Sequence, residues 1–213
     1  MKPKNHKSFF KDVAEEIDVH KDVVDDFLGL IEELGWDVVA PVMSTNGWNI
    51  EQETEVLLEL IDSGDFDLIV GSSMGGLAAA NASALRPDAA FGVLLIAPAF
   101  GLEEMWHERL TASEMTDWEQ QDAYPYKGFE LEMTLGWDFM QTASRMSWPK
   151  LNHPTVILHG IQDDVVPIEN SRRVAQQQAN VIELMELDDG HRMQGSKPHF
   201  QRAAEMCLDK LRT

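Results

Sequence analysis

Ser73 stands at the centre of Gly71-Ser72-Ser73-Met74-Gly75-Gly76, a Gly-x-Ser-x-Gly arrangement with small residues two before and two after the serine. Such neighbours permit a strained turn that lifts a hydroxyl clear of the backbone. A serine hydroxyl is a weak nucleophile until a base takes its proton, and that base needs an acceptor to hold its tautomer and orientation. Two later segments hold the matching residue types. His159-Gly-Ile-Gln-Asp163-Asp164-Val-Val-Pro167 supplies a carboxylate, Asp163, with Asp164 beside it as the alternative, and Asp188-Asp189-Gly190-His191-Arg192 supplies an imidazole, His191. The chemistry such a set supports is attack of a serine on a carbonyl. The Met74 N–H, at the head of the following helix, is placed to hold the developing oxyanion.

These residues need a scaffold that brings three distant loops to one edge. Phe66-Asp-Leu-Ile-Val70 is a compact apolar run, and the Ala-rich stretch from Gly75 to Leu85 reads as a close-packed helix, so Ser73 falls between strand and helix. Gly92-Val-Leu-Leu-Ile-Ala97 and Thr155-Val-Ile-Leu-His159 are near-continuous apolar runs of the kind a parallel sheet buries on both faces, and Val181-Ile-Glu-Leu-Met185 adds another strand. Asp163 follows one of these strands and His191 the next. Helices are predicted from about Ile168 to Gln178 and from Pro198 to Leu211.

Upstream, Trp36-Asp-Val-Val-Ala40 reads as a short strand, and Asn49 with Gln52 three residues on forms a capping box for a helix through Leu57, Leu58 and Ile61. Apolar stripes at helical spacing predict two further amphipathic helices, over residues 8 to 17 and 22 to 34, the second closed by Gly35. Strand and helix alternate from Trp36 onward, which makes the class α/β, an open, mostly parallel sheet with helices on both faces. Reaction sites in such sheets gather at the carboxyl edge, where Ser73, Asp163 and His191 all belong.

With the Gly-Ser-Ser-Met-Gly-Gly turn, Ala97-Pro98-Ala99 after the next strand, and His-Gly-x-x-Asp-x-x-Val-Pro around Asp163, the sequence resembles the α/β-hydrolase superfamily, its small bacterial esterase-like members in particular. The resemblance covers about residues 36 to 213. It implies Ser73 as nucleophile, His191 as general base, Asp163 or its neighbour Asp164 as the orienting acid, and the Met74 N–H as an oxyanion donor, with no cofactor or metal. The function it implies is cleavage of a small ester or thioester through an acyl-enzyme.

The chain departs from that family in one respect. A second oxyanion donor usually comes from a loop after an earlier strand, and no such strand stands out before Trp36. Either Pro3-Lys-Asn-His-Lys7 is the remnant of that loop in a shortened chain, or the N-terminal helices cover the sheet edge that the strand would have paired. Asn5, His6 or a nearby backbone N–H is the candidate substitute. Loss of one donor lowers turnover by about 10² to 10³, so weak activity is expected. The rival reading is a non-catalytic α/β-hydrolase-like protein that binds an apolar or acyl-like ligand.

Residues 102 to 148 interrupt the alternation. Trp106, Trp118, Phe129, Trp137, Phe139 and Trp148, with five methionines, read either as a helical cap over an acyl pocket or as the packed core of the insertion. His159 reads as a structural residue closing its strand. Asp188, Asp189 and His191 could be imagined as a metal set, but the serine turn explains His191 better. Cys207, the single cysteine, excludes an internal disulfide and reads as a buried thiol on the last helix.

Composition sets the outer bounds. A chain of 213 residues makes one domain. With 37 acidic against 17 basic residues the formal charge is −20, a surface that repels phosphate backbones and anionic lipid, so the expected partner is a small molecule and neither nucleic acid nor a membrane. No run of about 18 apolar residues and no signal-peptide core occurs, which makes the cytoplasm the expected compartment. Because acidic residues recur in the insertion, anionic acyl substrates are expected to react more slowly than neutral ones.

Overall fold

The computed structural model describes residues 7–9, 35–128 and 131–212. In chain order the strands are β1 (Lys7–Phe9), β2 (Asp37–Val39), β3 (Leu68–Ser72), β4 (Gly92–Ile96), β5 (Tyr124–Gly128), β6 (Leu131–Leu135), β7 (Thr155–Gly160) and β8 (Val181–Leu187). The helices are α1 (Ile50–Ser63), α2 (Ser73–Leu85), α3 (Leu102–Arg109), α4 (Ala112–Gln121), α5 (Asp138–Met146), α6 (Ile168–Gln177) and α7 (Lys197–Leu211). Six strands form one sheet in the order β2-β1-β3-β4-β7-β8, every neighbouring pair parallel. The α/β class and the parallel sheet match the sequence expectation.

The apolar runs of β3, β4 and β7 are continuous because both faces of the sheet are covered. Ile69, Val93, Leu95 and Ile157 face a core built with α1, α2 and the insertion. Leu68, Val70, Leu94, Ile96, Val156 and Leu158 face Phe200, Ala203, Ala204 and Leu208 of α7. Cys207 is fully buried there, and burial pushes its thiol up to about 12, which makes it inert packing. The Asn49 side chain accepts from the Gln52 N–H at 2.9 Å while Gln52 Oε1 accepts from the Asn49 N–H, so the capping box opens α1 as its sequence requires. Buried alanines at 78, 79, 80 and 82 let α2 lie close against the sheet.

Two features correct the sequence reading. A strand does precede Trp36: β1 lies inside the sheet, with Ser8 paired to both Val38 and Leu68. Lys-Ser-Phe has no apolar run to mark it, because a three-residue strand gains its order from the two ladders that flank it and not from its own pattern. Ser8 and Phe9 are therefore strand and not the start of a helix; the remainder of the two predicted N-terminal helices lies outside the described residues, as do Asn5 and His6. The insertion, in turn, is not purely helical. The hairpin β5–β6 sits between α4 and α5, paired antiparallel from Tyr124 with Leu135 to Gly128 with Leu131. Among the described residues no helix is long and apolar enough to cross a membrane.

Candidate active site

β1 leads outward to β2, whereas β3 and the strands after it build on β1's other side, so the strand order reverses between β1 and β3. A crevice at the carboxyl ends is expected at that point. Ser73 stands there, one residue beyond β3, with φ +50°, a left-handed conformation that a non-glycine residue adopts at a cost of about 1–3 kcal/mol. The glycines are dictated by space: a Cβ on Gly71 would fall 2.2 Å from the Gly75 carbonyl oxygen, and one on Gly76 would fall 3.1 Å from the Pro98 backbone. The Ala99 N–H donates to the Ser73 carbonyl at 3.0 Å and ties the turn to the loop after β4, where Ala97 also has positive φ. Met74 follows as the second residue of α2, so its N–H belongs to the first helical turn, whose amides have no partner within the helix.

Asp163 and His191 meet Ser73 across the ends of β7 and β8. His191 Nε2 lies 3.1 Å from Ser73 Oγ, and His191 Nδ1 lies 2.8 Å from Asp163 Oδ2. The carboxylate can only accept, so the neutral ring carries its proton on Nδ1 and turns a lone pair on Nε2 toward the serine hydroxyl. Asp163 Oδ1 accepts from the N–H groups of Val165 and Val166 at 2.9 and 2.8 Å. Burial pushes the Asp163 carboxyl up, but hydrogen bonds from His159, His191 and the Val166 N–H outweigh it and hold the group below the ordinary carboxylate range. Asp164, the alternative, is exposed. Of the two neighbouring carboxylates it is Asp163 that contacts His191.

The loop that carries His191 is held by a residue the sequence reading did not single out for this purpose. Asp189 Oδ2 accepts from the Gly195 N–H and from Ser196 Oγ, both at 2.8 Å, and Oδ1 accepts from the Gly190 N–H at 2.9 Å. Its backbone presses on β7: a Cβ on Gly160 would fall 2.3 Å from the Asp189 carbonyl oxygen. Asp188 instead accepts from Gln162. Asp188, Asp189 and His191 thus face three different sets of partners, and among the described residues no cluster of three or more His, Cys, Asp or Glu side chains could hold a metal ion. An Asp just before Gly is a common turn former, which is the one local signal Asp189 offered.

Aromatic side chains in the insertion pack mainly on one another. Trp118, 1% exposed, donates from Nε1 to the Leu135 carbonyl and contacts Trp106, Tyr124, Trp137 and Phe139. They form a core that joins the hairpin to α3, α4 and α5. Met74 is half-buried against the same core, which links it to the serine turn.

Solved structures share this architecture at low sequence identity. Alpha/beta hydrolase domain-containing protein 10 from mouse superposes with a TM-score of 0.74 at 20% identity, covering 99% of this chain and 92% of that one. Est1E from Butyrivibrio proteoclasticus gives 0.72 at 17% identity, covering 100% and 91%, and a further structure of Est1E holds ferulic acid. A putative hydrolase from Agrobacterium vitis S4 gives 0.71 at 17%, covering 95% and 88%. These likenesses establish the α/β-hydrolase fold. No curated protein matches the chain in sequence. A model of the uncharacterised protein family UPF0227 matches residues 38–207.

Proposed function

The chain belongs to the uncharacterised protein family UPF0227 and has the fold of the α/β-hydrolases, and from that premise we propose that it is a serine hydrolase acting on a small ester or thioester. The observation that carries this reading is the unbroken relay from Ser73 through His191 to Asp163 at the strand-order reversal, with the serine on a positive-φ turn. Ser73 Oγ attacks the carbonyl carbon as its proton passes to His191 Nε2. Asp163 holds the Nδ1–H and stabilises the imidazolium, and the Met74 N–H donates to the oxyanion. His191 then gives the proton to the departing alkoxide or thiolate, leaving an acyl group on Ser73, which a water deprotonated by the same histidine removes.

The rival, a non-catalytic protein that binds an apolar or acyl-like ligand, rests on the lack of a strand before Trp36, and the presence of β1 beside β3 speaks against it. Residues 102–148 are proposed as a cap whose acidic side chains, Glu104, Glu132 and Asp138 among them, disfavour anionic acyl groups. The charge of −20 supports a small-molecule partner over nucleic acid or membrane, and the cytoplasm is the proposed compartment.

A fluorophosphonate probe tests the assignment directly. Covalent labelling of the folded protein that is abolished in Ser73→Ala is expected. A folded wild type that stays unlabelled would refute the proposal. A panel of neutral esters and thioesters, aryl esters included because Est1E binds a hydroxycinnamic acid, then separates substrate classes.

A further inference from the structure

A second imidazole touches the same carboxylate. The His159 side chain is fully buried at the end of β7, with Nε2 3.1 Å from the Val166 carbonyl oxygen and 3.2 Å from Asp163 Oδ2. Both of these atoms only accept, so the proton of the neutral ring must sit on Nε2 and is shared between them. Nδ1, 2.8 Å from Ser171 Oγ, therefore takes the hydroxyl hydrogen. Its one lone pair is occupied and shielded, which rules it out as a second base. Asp163 Oδ2 also receives the His191 Nδ1–H at 2.8 Å. Two histidine donors thus compete for one oxygen.

Resting on the reading of Asp163 as the orienting acid, we propose that His159 is a positioning residue that weakens and directs the pull of Asp163 on His191. A carboxylate already saturated by donors is a poorer acceptor for the next one, so it stabilises the His191 imidazolium less than a bare carboxylate would. Proton return to the leaving group is then easier, and Oδ2 stays held between the two donors. The Asp163 carboxyl, held low despite its burial, agrees with this arrangement.

Other charged groups around the pair are engaged elsewhere or exposed. Glu186 on β8, opposite His159 in the ladder, pairs with Arg172 of α6. Glu169 of α6 bonds the same arginine. Asp188 and Asp189 hold Gln162 and the His191 turn, while Asp164 and Arg192 lie in solvent. From α2 the group facing His191 is the neutral Ser73 hydroxyl.

The test is the pH dependence of the fluorophosphonate labelling rate, which needs no substrate. His159→Phe fills the ring's volume without a donor. Its acid-side midpoint is expected to rise by about half a unit, slowing labelling about threefold below that midpoint. His159→Gln, whose amide nitrogen reaches the place of Nε2, should restore the wild-type midpoint. A wild-type midpoint in folded His159→Phe overturns the proposal, as does a shift that Gln fails to rescue. If His159→Phe does not fold, His159→Leu, a smaller side chain that also lacks the donor, decides: its midpoint must move upward, and an unmoved one overturns the proposal equally. Failure of the underlying reading looks different, since the wild type would then label at no pH, or Asp163→Asn would label as the wild type does.

Discussion

Ser83 and His153 form another serine–histidine pair, at the opposite end of α2 from Ser73, and it is the shorter of the two: 2.8 Å between Ser83 Oγ and His153 Nδ1, against 3.1 Å between Ser73 Oγ and His191 Nε2. Its tautomer is even suited to a base, because His153 Nε2 faces the Ala89 carbonyl at 2.8 Å and so carries the proton, leaving Nδ1 to accept. Yet Ser83 is 0% and His153 3% exposed, the ring is stacked 3.8 Å from Phe91, and a backbone carbonyl, that of Ala89, stands behind it where His191 has a carboxylate. Burial pushes the imidazole below its ordinary value. The helix contributes too, since its first turn offers N–H groups and a positive dipole end to an oxyanion at Ser73, whereas Ser83 lies near the negative end. Proximity of hydroxyl and imidazole is thus the least informative property of such a pair. Exposure, a strained turn and an acid behind the ring distinguish the two.

The sharpest way to break this contrast is labelling and turnover. Ser73→Ala should lower turnover by about 10⁴-fold or more, while Ser83→Ala should leave the labelling rate of the folded protein unchanged. A probe found on Ser83 would undo the contrast. Asp163→Asn comes next: the amide can donate to His191 Nδ1 and trap the wrong tautomer, at a cost of about 10³- to 10⁴-fold in turnover, with folding intact by circular dichroism. Stability should reverse the ranking of the serines. Ser83→Ala strips partners from His153 and from the Asn152 N–H, which also bonds Ser83 Oγ at 3.0 Å, and should cost about 1–3 kcal/mol in urea unfolding, well above the cost of Ser73→Ala.

The smallest effect is a slope. His153 has a depressed folded pKa, so below the ordinary histidine value of about 6.5 the unfolded chain binds a proton that the native protein refuses, and stability falls as pH drops. Asp163 is depressed as well, but its contribution is complete above the ordinary carboxylate value and is lost only as pH falls below about 4. Unfolding free energies measured between about pH 5 and 7 therefore carry the His153 contribution without that of Asp163, and His153→Phe should reduce the slope there. An unchanged slope would place the proton uptake elsewhere.

Much of this arrangement was legible because each of the three residues ends a local pattern. Ser73, Asp163 and His191 follow apolar strand runs, and a parallel sheet puts all such ends on one edge. What could not be read was anything fixed by contact across the sheet. Adjacent carboxylates are identical in type, and only the turn that aims the Val165 and Val166 N–H groups at residue 163 separates Asp163 from Asp164. The His159 contact with Asp163 and the Asp189 clamp are tertiary in the same sense. β1 is too short to carry a pattern. The hairpin is a different case, because Tyr124-Pro-Tyr-Lys-Gly128 and Leu131-Glu-Met-Thr-Leu135 both alternate with period two, a signal hidden by the aromatic and methionine content around it.

β4 and β7 are hydrogen-bonded neighbours, yet residues 97–154 stand between them in the chain. Ser73 precedes that stretch, and Asp163 and His191 follow it. Contacts of such long sequence separation form late, since the entropy of closing the loop must be overcome before the pairing rewards it. Refolding should therefore regenerate helical signal from α1 and α2 first and reactivity toward the probe afterwards, when β7 docks on β4. In that order of assembly the serine turn would form before the histidine proposed to activate it is in reach.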